Sequence, residues 1–151
     1  MIRNIFLKSL LILILSSALM FIGILFTVQY NNIMYSRVMI VNIIDMLQRE
    51  INIYDIKTED DFKNFVLQSD KEELRISIIS TNGIVIADTL SDTAKTTLGN
   101  HNNRSDVIEA LHNTNDKPSF SISTSISQKT PYIYGSKKIK YDDFVDYILR
   151  L

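Results

Sequence analysis

The chain has 151 residues, 46% of them hydrophobic, with 16 basic against 17 acidic side chains and no cysteine. Without cysteine there are no disulfides, thiolate metal sites or cysteine nucleophiles. A formal net charge of −1 supplies no basic stripe of the kind nucleic acid demands.

From Ser9 to Ser36 the sequence carries no charge, and its centre, Leu10 to Val28, is Leu, Ile, Phe, Met and small residues. A helix rises about 1.5 Å per residue, so roughly 20 residues cross the ~30 Å hydrocarbon core of a bilayer. Residues 9–29 therefore read as a transmembrane helix in a lipid bilayer. Arg3 and Lys8 before it are both positive, whereas Arg37, Asp45, Arg49 and Glu50 after it are mixed. The positive-inside bias predicts residues 1–8 in the cytoplasm and 30–151 outside the cell membrane. A signal peptide cleaved after Ser16-Ser17-Ala18 is the rival. It would leave Leu19-Met20-Phe21-Ile22 as a raw apolar N-terminus, which favours the uncleaved anchor. The outward part is of single-domain size.

Neither Pro nor Gly occurs from Tyr30 to Ile53, so the helix is expected to continue as a membrane-proximal rod within residues 30–57. Ile33, Ile40, Ile44, Leu47 and Ile51 share one of its faces, widened by Met34 and Val41. That stripe either packs on its own domain or forms the seam of a parallel homodimer. Both uses can coexist at different heights.

Thr58-Glu59-Asp60-Asp61 has the form of a capping box with an acidic first turn. It predicts a short helix with Phe62, Phe65 and Val66 on its apolar face, ending near Gln68-Ser69-Asp70. Leu74 to Ser80 and Ile84 to Thr89 are β-rich runs around Asn82-Gly83, a tight-hairpin signal. A polar loop over 90–103 leads to a helix from Ser105 to His112, with Val107, Ile108 and Leu111 apolar. In Ser119 to Ser127, serines alternate with Phe120, Ile122 and Ile126, the period of a half-buried strand with the serines outward. Pro131 to Lys140 and Phe144 to Leu151 read as two more strands joined at Tyr141-Asp142-Asp143. The predicted class is α+β: one five-stranded antiparallel sheet with helices on one face.

In layout this order resembles the PAS-like, single-Cache extracytoplasmic sensor domain of bacterial two-component sensor histidine kinases, nearest the phosphate-regulon sensor group. The motif likeness covers about residues 74–151. It rests on Arg75 to Ile79 leading through Gly83 to Ala87-Asp88-Thr89, and on Asn100-His101-Asn102-Asn103-Arg104-Ser105-Asp106 before a helix. Tyr132-Ile133-Tyr134 and Leu149-Arg150-Leu151 complete it. Asp106 stands where that group usually has Glu, and Ser105 where Pro is common. The resemblance implies a signal-sensing input region that would re-enter the membrane and continue into a kinase, reaching a response regulator through that region. No phosphoacceptor helix or Gly-rich nucleotide loop is found in the sequence. The expectation is an N-terminal receptor fragment without catalytic residues or cofactor.

The family's ligand pocket lies between sheet and loops, so a small-molecule stimulus would meet residues 90–104 with Tyr132 and Tyr134. Both tyrosines also suit an ordinary sheet. Asp88, His101 and Arg104 read as a hydrogen-bonded clasp fixing the long loop. A metal held by His101 with Asp88, Asp92 and Asp106 follows no ligand spacing rule. His101 is the clustered group able to titrate between pH 5 and 8, and His112 suits a helix C-terminus. Lys137, Lys138 and Lys140 read as a solvated edge strand protected against pairing. The same input region can serve a chemoreceptor or a cyclic-dinucleotide enzyme, and a stand-alone anchored binding module is the other alternative.

Overall fold

The computed structural model describes residues 2–69, 74–89, 99–124, 131–141 and 145–151. The chain divides into two compact units, Met1–Ser36 and Arg37–Leu151. The first is the opening part of helix α1 (Ile2–Ile53). Every described side chain from Arg3 to Asn32 is exposed, among them Leu11, Leu15, Leu19, Phe21 and Phe26. This is one helix long and apolar enough to cross a membrane. The Ser and Thr hydroxyls of residues 9–29 are satisfied within the helix: Ser9, Ser16 and Ser17 donate to carbonyls three residues back, and Thr27 to Gly23 four back, at 2.8–2.9 Å. Such back-bonding satisfies these four hydroxyls without water.

The second unit begins with the remainder of α1. Then come α2 (Glu59–Gln68), β1 (Ser77–Ser80), β2 (Val85–Asp88), α3 (Ser105–His112), β3 (Ser119–Thr124), β4 (Pro131–Tyr141) and β5 (Val145–Arg150). The five strands form one antiparallel sheet in the order β2-β1-β5-β4-β3. The α+β class read from the sequence is the observed one. The capping box is present in full: the Asp61 amide donates to the Thr58 hydroxyl at 3.1 Å, and the Thr58 amide to the Asp61 carboxylate at 3.0 Å. Beside the β1–β2 turn, Gly83 adopts φ +79°, and a Cβ there would run into Asn100 and the Asn102 backbone.

Helices cover both sheet faces, not one as expected. On the first face Ile40, Ile44, Leu47 and Ile51 of α1 and Phe62, Phe65 and Val66 of α2 pack on Ile78, Ala87, Ile139 and Leu149. Gly135 lets α1 close on β4, because a Cβ there would strike Ile40. On the second face Val107 and Ala110 of α3 pack on Ile79 and Ile148. Strand periodicity requires both layers, since adjacent residues such as Ile78 and Ile79 point to opposite sides.

Three expectations are corrected by this packing. Ile40, Ile44, Leu47 and Ile51 fill the chain's own core, so these four do not form the seam of a dimer; Ile33 is half-buried. Exposing one such core side chain to water would cost about 1.5–3 kcal/mol. The Lys137-Lys138 run is not on an edge, because β4 lies between β5 and β3 and Lys137 is buried. The serines of β3 do not face outward: Ser119 is buried and Ser121 half-buried, while Ile122 is exposed. Ile126, the Tyr141-Asp142-Asp143 joint as a whole, Phe144 and the Lys140 side chain lie outside the described residues.

Gly83→Ala forces a Cβ into a positive-φ, crowded position. It should lower the unfolding free energy by about 1–3 kcal/mol in denaturant titration. Gly99→Ala, with none of the described residues near its Cβ, should leave the midpoint almost unchanged.

Candidate functional site

Strand register builds a polar row across the whole sheet. Asp88 stands opposite Ser77, Ser77 opposite Arg150, Arg150 opposite Ser136, and Ser136 opposite Ser119. All five side chains are buried. The row lies on the second face, the side of Ile79 and Ile148, under α3.

Asp106, in the first turn of α3, docks onto this row. Its carboxylate accepts from Arg150 Nε, Ser136 Oγ and Ser121 Oγ, each at 2.7 Å. One acid thereby ties α3 to β5, β4 and β3. Asp106 and Arg150 are 1% and 4% exposed, and the Arg150 guanidinium lies 3.9 Å from the Tyr134 ring centroid. Burial alone would raise the Asp106 pKa, but the bonds from Arg150 and the two serines, with the Arg150 charge, hold it below the ordinary carboxylate value. Removing one partner of such a pair strands the other as a buried charge.

A second ion pair closes the hairpin end of the row. Arg75 Nε donates to both Asp88 oxygens at 3.1–3.2 Å, Arg75 Nη2 to one of them at 2.9 Å, and Ser77 Oγ donates to the same oxygen at 2.7 Å. The loop before α3 seats against the hairpin turn through backbone contacts. His101 N donates to Gly83 O at 2.8 Å, and Asn100 Nδ2 to Asn82 O at 3.0 Å. His101 is buried and its Nδ1 has no hydrogen-bond partner among the described residues. Burial, then the charges of Arg150, Arg104 and Arg75, depress its pKa, against an opposing pull from Asp88.

The expected clasp is thus reassigned. Asp88 is engaged by Arg75 and Ser77. Arg104 contributes backbone and charge: its side chain is exposed, its amide donates to His101 O at 3.1 Å and its carbonyl accepts from Ile108 N at 2.9 Å. Arg104 is the N-cap of α3, without a side-chain cap bond. Tyr134 stacks on Arg150 and Tyr132 is 41% exposed, the two rings 6.5 Å apart. Among the described residues no three His, Cys, Asp or Glu side chains gather as a metal site. Asp92 and residues 90–98 of the expected pocket lie outside the described residues. The sequence reading missed Arg75, Ser77, Ser121, Ser136 and Arg150 as partners. One signal was present: Asp106 and Arg150 are charges set directly beside apolar residues, Val107 and Leu149, within short elements.

The opposite face of β4 carries a further link. Lys137 Nζ reaches Asp45 Oδ1 of α1 at 3.0 Å and Asp116 Oδ2 at 3.5 Å. Neighbouring residues of β4, Ser136 and Lys137, therefore bond to α3 on one side of the sheet and to α1 on the other.

Compared with known proteins, the chain matches no protein-family model and no curated protein.

Asp106→Asn should cost about 3–5 kcal/mol, because Arg150 stays buried without its counter-charge; thermal or denaturant unfolding measures it. His101 is held neutral in the fold and protonates more readily when unfolded. Stability should therefore decline as pH falls below the unfolded value near 6.5, and His101→Gln should flatten that part of the stability–pH curve. Asp106, whose folded pKa is depressed, adds a further loss only at more acid pH, below its unfolded value near 3.8.

Proposed function

We propose that this chain is the signal-sensing input region of a membrane-bound two-component sensor histidine kinase. Residues 9–29 cross the bilayer, the N-terminus is cytoplasmic and the sheet domain faces outward. The observation that carries the reading is the bonding of β4 on both its faces, through Ser136 to Asp106 of α3 and through Lys137 to Asp45 of α1. A stimulus that moves α3 or the loop before it strains the Asp106 cluster. β4 and β5 pass that strain through the sheet to α1, which continues into the apolar segment. A stimulus biases such a device only through different affinity for its two arrangements. The likeness of Arg75 to Asp88, of Asn100 to Asp106 and of the closing Leu149-Arg150-Leu151 to PAS-like sensors supports the assignment to this receptor class.

Two measurements test it. In intact cells, Thr81→Cys on the hairpin turn should react with a membrane-impermeant maleimide, while Asn4→Cys should react only after lysis; the reverse pattern overturns the orientation. In membranes bearing the complete reading frame, ATP should place an acid-labile phosphate on a histidine beyond residue 151. A methylation coiled coil or a cyclase motif there instead would overturn the kinase output.

A further inference from the structure

The β3–β4 hairpin outruns the rest of the sheet. β5 pairs with β4 from Ser136 onward, beside the Gly135–Leu151 backbone bonds. Among the described residues Pro131 to Tyr134 therefore pair with β3 alone, as a two-stranded ribbon. Burial fades along it. Ser119, Gly135 and Ser136 at its base are buried, whereas Ile122, Thr124, Pro131 and Tyr132 are exposed, Ile122 by 52%. Its composition is also one-sided: from Lys117 to Tyr141 there is no acidic residue, in a chain that has 17.

Contacts at the base give the ribbon its direction. Gly135 lies against Ile40 and Lys137 bonds to Asp45, so β4 advances in the same sense as α1. Followed backwards, β4 points to the end of the sheet-bearing unit where Arg37 of α1 stacks over Phe120 at 5.3 Å. From Gly135 to Pro131 the strand covers about 13 Å. Between Arg37 and residue 29, the last of the apolar segment, a helix covers only about 12 Å.

We propose that the end of this ribbon docks on the bilayer that residues 9–29 cross, with Ile122 and Tyr132 in the headgroup layer. The inference rests on the proposed membrane reading, which supplies the tether. Ile122 pairs with Ile133, so strand alternation turns Ile122 and Tyr132 to opposite faces. An apolar side chain on one face and a tyrosine on the other suit a tip that enters between headgroups, where tyrosine is favoured. Anionic headgroups meet no carboxylate along the ribbon. The outer backbone edges of two strands still need hydrogen-bond partners, which confines the contact to the headgroup layer and keeps it out of the hydrocarbon. The ribbon also supplies Ser121 and Ser136 to Asp106. Docking therefore fixes this end of the polar network relative to the bilayer.

The chain has no native tryptophan, so single substitutions report by fluorescence. The full chain is reconstituted in phosphatidylglycerol–phosphatidylcholine vesicles whose lipid is brominated near the glycerol end of its acyl chains. Ile84 serves as the control: it is 57% exposed at the β1–β2 turn. β1 and β4 both pair antiparallel with β5, so that turn stands at the opposite end of the sheet. Tyr132→Trp should be quenched several-fold more than Ile84→Trp, and Phe26→Trp in the apolar segment should be quenched as well. Adding Ile122→Glu to Tyr132→Trp should remove most of its quenching while leaving the unfolding midpoint within experimental error. Quenching of Tyr132→Trp no greater than that of Ile84→Trp overturns the docking. So does shielding of Tyr132→Trp from acrylamide without quenching by the lipid, which marks a protein partner or a second copy. If Phe26→Trp alone is quenched, the docking falls and the sensor reading stands; if Phe26→Trp escapes too, the membrane reading itself has failed.

Discussion

A carboxylate buried under a helix can remain charged only where the fold surrounds it with donors, and Asp106 is such a case. Arg150 neutralises it and two serines complete its bonding. Those donors come from three successive strands, 15, 30 and 44 residues beyond Asp106, so the bond set cannot form until β3, β4 and β5 are paired in register. The same condition aligns Ser77 and Asp88 with Arg150 across β1 and β2. Sheet register, helix docking and charge satisfaction are thus one constraint.

That constraint explains the unequal character of the two sheet faces. The face under α1 and α2 is mostly apolar, with the Lys137–Asp45 bond as a polar exception, so non-directional burial does most to hold it together. The face under α3 is polar and depends on geometry, since an ion pair out of water must recover its desolvation cost through well-formed bonds. A helix held in this way is sensitive to displacement in a manner that an oily contact is not. His101 adds an imidazole of depressed pKa, acted on by three guanidinium groups and the Asp88 carboxylate, and the loop carrying it rests on Gly83 by a backbone bond.

Much of the architecture was legible in local pattern. The charge-free stretch, the Thr58 capping box, the Asn82-Gly83 turn and the limits of α3 each depend on a few adjacent residues, and each was readable on that account. The candidate site was legible only in part. Asp88 and His101 were picked out, but their neighbours were misjudged, because Arg75 and Arg150 reach them through strand pairing. The serine alternation of β3 was seen and its direction inverted, since a period of two says that two faces differ without saying which is buried. The stripe on α1 left the same ambiguity: Ile40, Ile44, Leu47 and Ile51 suit a core and a seam equally, and sheet contacts chose the core.

By itself the sequence determined the element types, their order and the presence of one helix long and apolar enough to cross a membrane, because these follow from local hydropathy, capping and turn chemistry. The tertiary structure alone decided which faces are buried, that helices lie on both sides of the sheet, and that Asp106 meets Arg150. Those outcomes depend on pairing residues 44 to 92 positions apart, and no short-range pattern encodes the register that brings them together.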